Sequence, residues 1–319
     1  MSVSKEELLK EASKWGALSL KGHSFYRGKI EVIPKCAIRG LSDFSIWYTP
    51  GVARPCREIE RDREAAYDLT GKWNFIAVVS DGTRVLGLGD IGGQAGMPVM
   101  EGKALIFKYL GGVDAFPICL ATKDPDEIIT AVKWLEPTFG GINLEDIAKP
   151  KCFYILERLR KEMEIPVWHD DQQGTAAVEL AALINALKVV GKKMDEVQVC
   201  MIGSGSANTR TAYVLMAAGV KPGNIIMTDS KGILHQGRED LEGTYKWDLC
   251  LKTNAEGRVG GNAEAMKGAD VCIALSRSGP GVIKKEWISS MADDAIIFTC
   301  ANPIPEIWPW EAKEAGARI

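Results

Sequence analysis

Two short segments hold the side chains with the most chemical reach. Gly141-Ile142-Asn143-Leu144-Glu145-Asp146 and His169-Asp170-Asp171-Gln172-Gln173-Gly174-Thr175 sit at the ends of apolar runs and carry four carboxylates between them. Mg²⁺ and Mn²⁺ prefer oxygen ligands. Two or three of these carboxylates with water can hold such a cation and leave coordination positions for a substrate's own oxygens. Taken singly, Glu145, Asp146, Asp170 and Asp171 read equally well as solvated loop acids or helix N-caps, so the weight falls on the residues around them.

A second signal is Gly203-Ser204-Gly205-Ser206-Ala207-Asn208, which directly follows the apolar run 197–202 and opens a helical pattern, with Asp229 closing the next predicted strand. Glycines at such a turn let a pyrophosphate approach a helix N-terminus, and the acid meets the adenine ribose. This context makes NAD or NADP the candidate cofactor. The other reading is an apolar strand meeting a helix through a Gly-rich turn with no ligand. Asn208 occupies the third-glycine position, where helix normally packs on strand, and is expected to set the helix slightly farther out. Asp229 favours a free 2′-hydroxyl, whereas Ser230 and Lys231 accommodate a 2′-phosphate, so both cofactors stay open.

These segments need rigid elements behind them. The spacing of Leu8, Leu9, Ala12, Trp15 and Leu18 predicts a helix over 4–20 with Ser4 as N-cap, and residues 21–45 read as mixed and turn-rich. A strand over 74–80 runs into Asp81-Gly82-Thr83 and then 84–89, a hairpin signal. Strand 115–119 leads to Asp124-Pro125-Asp126-Glu127, which announces a helix to about Leu135 through an N-cap, an N1 proline and first-turn acids. Strand 139–144, helix 151–162, strand 165–168 and helix 174–190 follow, with Gly191 suited to the C′ position. A second run gives strand 197–202, helix 206–218, strand 224–228, helix 246–253, strand 270–275, helix 284–291 and strand 295–300. Such alternation implies parallel sheets with crossover helices. The predicted fold class is therefore α/β in two domains. Residues 1–170 form an N-terminal α/β domain with a mostly parallel sheet, and residues 171–319 form a Rossmann-type dinucleotide-binding domain.

Composition excludes several classes. A formal net charge of -3 over 319 residues, without a basic block, gives no electrostatic case for nucleic acid or an anionic membrane. The eight cysteines form no CxxC pair, and Cys119, Cys200, Cys272 and Cys300 lie in apolar runs, so they read as reduced core residues. Residues 1–7 contain no apolar leader, and no uninterrupted apolar stretch of about 18 residues occurs. The cytoplasm is the expected compartment.

From about Ser42 to Ile319 the chain resembles the malic enzymes of the smaller prokaryotic kind. The likeness is carried by Tyr48-Thr49-Pro50-Gly51-Val52-Ala53, Ser80-Asp81-Gly82-Thr83, Leu86-Gly87-Leu88-Gly89-Asp90-Ile91-Gly92, Glu101-Gly102-Lys103, the two acidic segments and Ala301-Asn302-Pro303. Seven motifs in order are far more specific than a glycine-rich loop alone. The resemblance implies metal-dependent oxidative decarboxylation of malate to pyruvate and CO₂ with reduction of NAD or NADP, in a homodimer. It makes Glu145, Asp146 and Asp171 metal ligands, Asp170 their neighbour in the catalytic site, Lys103 the general base and Tyr48 the general acid. Asn302 would touch substrate or nicotinamide, and Arg84 aligns with a substrate-carboxylate arginine of larger members. A lysine whose pKa a nearby cation lowers can remove the C2 hydroxyl proton, and a tyrosine can protonate C3 afterwards.

Taken without these neighbours, Tyr48 is an aromatic packing a turn, Lys103 a solvated helix lysine and Asn302 half of a common turn pair. His169 reads as a hydrogen-bonded core histidine. Alternative activities are decarboxylating oxidation of another 2-hydroxy diacid such as tartrate, decarboxylation of oxaloacetate without net redox, or a catalytically silent truncated paralogue serving as an interaction subunit. Ala317-Arg318-Ile319 reads as the start of a further strand, which makes the second domain look incomplete at its end.

Overall fold

The structure, a computed structural model, describes residues 5–302 and 304–319. It divides into two units.

The first unit consists of residues up to Thr83 with Ile91–Asn143 and Met163–Val167. Its helices are α1 (Lys5–Tyr26), α2 (Leu41–Trp47), α3 (Ala53–Arg61), α4 (Ala65–Leu69), α5 (Gly92–Gly111) and α6 (Pro125–Leu135). The N-cap expected at Ser4 lies outside the described residues. Strands β1 (Phe75–Ser80), β2 (Asp114–Cys119), β3 (Gly141–Leu144) and β4 (Val167–His169) form one sheet in the order β2-β1-β3-β4, the last residue or two of β3 and β4 being grouped with the second unit. β1 and β2 pair in parallel from Phe75↔Asp114 to Ser80↔Cys119. Phe116 meets Phe75 and Phe139 edge-on, with ring centroids 4.9 and 5.9 Å apart, a favoured aromatic geometry. Asp124 caps α6 as expected, its Oδ1 accepting the N–H groups of Asp126 and Glu127 at 2.9 and 3.0 Å.

The hairpin expected after β1 does not form. Residues 84–89 make only a single antiparallel bridge, Val85↔Gly89, while the edge of β1 is taken by the parallel partner β2. The Gly82 carbonyl instead accepts the N–H groups of Ile91 and Gly92 at 3.1 Å, turning the chain straight into α5.

The second unit holds Arg84–Asp90, Leu144–Glu162 and Trp168–Ile319. Helix α7 (Lys151–Glu162), α8 (Thr175–Val190) and α9 (Ser206–Ala217) accompany strands β5 (Val199–Ile202), β6 (Ile225–Asp229), β7 (Gly232–Ile233), β8 (Val271–Ala274) and β9 (Ile296–Thr299). The sheet order is β7-β6-β5-β8-β9, parallel except for the short β7. This is a Rossmann-type sheet, with the strand order reversing at β5. Leu183 and Leu187 of α8 and Leu215 of α9 bury against Met201, Met227 and Ile273 of the strands. Gly191 ends α8 in the left-handed region, φ 71°, where the absence of a Cβ removes the steric cost. The segment Asp170–Val190 is long and apolar enough on average to cross a membrane, but its packed face belongs to this core. The last residues run beside β9, Arg318 N–H donating to the Ala295 carbonyl and Ile297 N–H to that of Ile319, both at 2.8 Å.

The cysteines are all free thiols, and their burial differs from expectation. Cys200 and Cys272 are core residues, as are Cys152 and Cys250, whereas Cys119 and Cys300 are only half-buried at strand ends.

One acid lies inside the second core. Glu179 of α8 is 3% exposed, and its Oε2 accepts the hydroxyl of Thr211 at 2.6 Å. Burial raises its carboxyl to about 7, against the lowering effect of that bond. An acid whose folded pKa exceeds its unfolded value costs nothing below the unfolded value, and it destabilises progressively as pH rises from about 4.5 to 7. Glu179→Gln keeps an acceptor for Thr211 and removes the ionisation. Relative to the parent it should gain on the order of 3 kcal/mol between pH 4.5 and 8. Denaturant unfolding at both pH values measures this, and an unchanged difference between the two proteins would show that Glu179 ionises freely.

Candidate functional site

Glu145 and Asp146 follow β3, and Asp170 and Asp171 follow β4. Asp146 takes a left-handed backbone, φ 54°, which costs a non-glycine residue of order 1 kcal/mol and persists where the surroundings enforce it. Two bonds enforce it here. Its N–H donates to Asp171 Oδ2 at 2.9 Å, and its carbonyl accepts the N–H of Arg84 at 3.0 Å. Asp170 to Gly174 form one π-helical turn leading into α8, a wide turn that recurs at functional sites.

The carboxylate oxygens of Glu145, Asp146 and Asp171 come within 4.8 Å of one another, the first two buried and Asp171 partly exposed. Three carboxylates this close repel unless protons or a cation lie among them. An all-oxygen set of charge -3 fits a hard divalent cation, and exposure of Asp171 leaves room for water or substrate oxygens. Asp170, half-buried, begins the same turn.

His169 departs from the expected hydrogen-bonded core residue. It is wholly buried, neither ring nitrogen makes a hydrogen bond to a described residue, and Nε2 lies 3.5 Å from Asp171 Oδ2. Burial pushes the imidazole down to about 4, so the ring is neutral at pH 7 beside the acidic cluster.

The glycine-rich turn lies between β5 and α9. Gly203 has φ 97°, and a Cβ there would stand 2.6 Å from the Leu275 carbonyl oxygen, so the turn itself requires glycine. Gly205 is different, because a Cβ there would meet nothing within 4 Å. The open space above it is what close approach of a pyrophosphate uses. Asn208 is fully buried, and its Nδ2 donates to the carbonyls of Ile202 and Gly203 at 3.0 and 2.9 Å. The residue expected to hold the helix away thus ties it to the strand end. Ser206 and Ala207 open α9, Ser206 Oγ lies 3.5 Å from Cys152 Sγ, and the Ser204 carbonyl accepts the Tyr245 hydroxyl at 2.9 Å. Asp229 ends β6 with Arg238 and Lys246 as ion partners at 3.1 and 2.8 Å. Beside it, Ser230, Lys231, His235 and Arg238 line a cavity of about 410 Å³.

The second unit therefore gathers the carboxylate trio and, on its Rossmann sheet, the dinucleotide-type loop. Arg84 also belongs to it, exposed, its guanidinium donating to the Leu86 carbonyl at 2.8 Å. Asn302 is exposed in the bend after β9. Tyr48 and Lys103 are carried by the first unit, Tyr48 at the C-terminal end of α2 and 70% exposed, Lys103 half-buried within α5.

Several residues had no legible signal in the sequence. Arg238 and Lys246 lie 9 and 17 positions after the acid they pair with, a separation with no motif attached. Glu306 is wholly buried, accepting the N–H of Ser276 at 2.9 Å and of Ala301 at 3.1 Å. It fixes the loops after β8 and β9 and thereby the position of Asn302. An acid flanked by Pro305 and Ile307 was the one available hint.

Comparison with known proteins agrees with this geometry. Residues 27–160 match the family described as malic enzyme, N-terminal domain, and residues 172–314 match malic enzyme, NAD binding domain. The bifunctional malic/malolactic enzyme of Bacillus subtilis (strain 168) is 50% identical over 297 residues, 93% of this chain and 72% of that protein. The chain belongs to the malic enzyme family. The NAD-dependent malic enzyme of Geobacillus stearothermophilus is 52% identical over 292 residues, 92% of this chain and 60% of that relative. The malic enzyme structure from Entamoeba histolytica superposes with a TM-score of 0.94 at 49% identity, over all of this chain and 68% of that one. These members of the family are longer than the present chain.

Removing one carboxylate from the trio should weaken a cation sharply, because the ion is left under-neutralised and Asp146 loses the acceptor that holds its backbone. Asp171→Ala is expected to bind Mn²⁺ at least tenfold more weakly than the parent in calorimetric titration. Equal affinity would remove Asp171 from the ligand set.

Proposed function

We propose that the chain is a malic enzyme in activity as well as family, oxidising and decarboxylating L-malate to pyruvate and CO₂ with NAD or NADP and Mg²⁺ or Mn²⁺. The observation that carries the reading is the convergence of Glu145, Asp146 and Asp171 within 4.8 Å, together with membership of the family. The intact glycine turn supports a dinucleotide, and Asn208 bonds the start of α9 to the strand end beside it. A functional division near residue 170 is the reading that the stretches matched at 27–160 and 172–314 support.

Glu145, Asp146 and Asp171 hold the cation, with Asp170 beside them. The residues from Gly203 to Asn208, with Asp229, Ser230 and Lys231, hold the dinucleotide. Bound, the cation supplies Lewis-acid polarisation of the substrate oxygens and the nicotinamide a hydride acceptor. Lys103 removes the C2 hydroxyl proton during oxidation, returns it to the enolate oxygen left when CO₂ departs, and takes it back as the enol becomes the ketone. Tyr48 delivers a proton to C3 once CO₂ has left. Arg84 meets a substrate carboxylate, and Asn302 meets substrate or nicotinamide. The expected compartment is the cytoplasm.

The protein works as a homodimer in this reading. Between Trp15 and Tyr48 a run of large apolar side chains is exposed, including Phe25 79%, Tyr26 77%, Val32 82% and Leu41 87%. Aromatics bury roughly 150–250 Å² each, so the exposed aromatics alone present on the order of 600 Å². With the aliphatics the total passes the ~800 Å² per partner of a stable interface and exceeds what monomers usually leave open. A second copy covering this segment accounts for it.

Two measurements test these assignments. Lys103→Ala should lower malate oxidation by roughly 10²- to 10⁴-fold, the usual cost of losing a general base. Tyr48→Phe should slow exchange of pyruvate methyl protons in deuterated buffer, followed by NMR with Mn²⁺ omitted in favour of Mg²⁺, more than it slows pre-steady-state formation of reduced cofactor. Exchange at the parent rate would return Tyr48 to a packing role. Sedimentation of the full chain should give twice the 34.8 kDa chain mass, and Phe25→Asp with Leu41→Asp should shift it toward monomer. A parent that sediments as a monomer would end the dimer assignment.

A further inference from the structure

The π-helical turn that carries Asp171 departs from the regular helical ladder, so side-chain anchors take a larger part in holding it. Two glutamines follow Asp171, and they anchor different things. Gln173 closes the turn on itself, its Oε1 accepting the His169 N–H at 3.0 Å. Gln172 reaches outward. It is wholly buried, and a buried amide needs partners for both its carbonyl and its NH₂ group. Its Nε2 donates to the Cys152 carbonyl of α7 at 3.3 Å, and its Oε1 accepts Nη2 of Arg210 on α9 at 3.3 Å.

Arg210 also pairs with Glu157 of α7, from the same Nη2, at 3.3 Å. Glu157 is 53% exposed, and an ion pair with so open an acid is worth little. Its other partner, Gln172, is the buried one. The Nε of Arg210 is enclosed without a hydrogen-bond partner among the described residues, so the guanidinium stays where it is at the cost of an unsatisfied donor. Arg210 belongs to the helix that opens at Ser206 behind the glycine turn and that Asn208 ties to the end of β5. The Gln172–Arg210 bond therefore joins the frame of the glycine turn to the turn of the carboxylate trio. Asp171 precedes Gln172 in the chain, and a displacement of Gln172 carries Asp171 with it. A cation site tolerates only about ±0.2 Å in its ligand distances.

We propose that Gln172 and Arg210 are positioning residues for the cation site. Through their bond, α9 holds the Asp171 carboxylate beside Glu145 and Asp146, and cation affinity depends on two side chains that are not ligands. The inference rests on the cation reading of the trio.

Calorimetry of the full chain with Mn²⁺ alone tests it without turnover, and denaturant unfolding without the cation reports that each variant is folded. Arg210→Met and Gln172→Met should each weaken Mn²⁺ by about tenfold, the lower end of what the outer partners of metal ligands contribute. The double variant should bind within about threefold of either single one, because both changes remove the same bond. Arg210→Lys keeps a donor for the Gln172 carbonyl and should return to within about threefold of the parent. Glu157→Gln breaks the ion pair and leaves the Gln172 bond, so its affinity should stay within about twofold of the parent. Should Arg210→Met not fold, Gln172→Met against Glu157→Gln makes the same comparison. Parental Mn²⁺ affinity in the Met variants, with only their unfolding midpoints lowered, overturns the proposal. So does a loss in Glu157→Gln as large as that in Gln172→Met, or single losses that add in full in the double variant. A parent that binds no Mn²⁺ overturns instead the cation reading beneath it.

Discussion

The hydrogen bond from the Asp146 N–H to the Asp171 carboxylate joins two segments that are remote in sequence and makes them one site. It helps hold Asp146 in its left-handed backbone and gives an oxygen of Asp171 a backbone donor. The bond uses only one lone pair of one carboxylate oxygen. The carboxylate oxygens of Glu145, Asp146 and Asp171 come within 4.8 Å of one another beside it. The Arg84 N–H completes the arrangement at the next peptide, donating to the Asp146 carbonyl. A local strain of order 1 kcal/mol is thereby held by one bond to a side chain, which Asp171→Ala would remove, and one bond between backbone groups.

The second unit also shows how a polar residue can replace a glycine. A third glycine works by absence, letting helix and strand approach. Asn208 works by presence, its amide donating to two carbonyls at the strand end, of which that of Ile202 also accepts the Leu275 N–H at 3.0 Å. The cost is a buried side chain that must be satisfied, and both amide hydrogens are. Thr211, one turn further along α9, gives its hydroxyl to Glu179 in the same manner, so the α8 and α9 contact is fixed by hydrogen bonding as well as by Leu183 and Leu215.

Much of this architecture was legible because it rests on local rules. Asp124-Pro125 marked the start of α6, and helix 151–162 was read to its ends. The strand to turn to helix order at Gly203 placed the glycine turn between β5 and α9. The acidic trio was legible through its motifs, although the bond that organises it was not. What failed to show was non-local. The turn chemistry of 81–89 reads as a hairpin in isolation, but the edge of β1 is claimed by β2, whose pairing depends on α5 carrying the chain across. Likewise, a buried His169 looks from sequence like any core histidine, and only packing reveals that Nε2 lies 3.5 Å from Asp171 Oδ2 and that neither nitrogen bonds a described residue. Asn208 was legible as a departure, yet its sense was inverted, because spacing says nothing about where an amide donates.

The electrostatics of the second unit follow one logic in two places. At the acidic trio, three carboxylates are assembled within 4.8 Å of one another. At Asp229 the excess has the opposite sign, since Arg238, Lys231 and Lys246 exceed the acids they bridge. Neither imbalance pays for itself in folding, because assembling like charges opposes the compact state. Both lie in loops that follow carboxyl ends of strands, where backbone geometry is set by the sheet and side chains are free to converge. The stability to hold them comes from elsewhere in the unit, from the apolar packing of α8 and α9 on the sheet. A mutation that loosens that packing should therefore relax both clusters together, whereas a neutralising change in one cluster should leave the other intact.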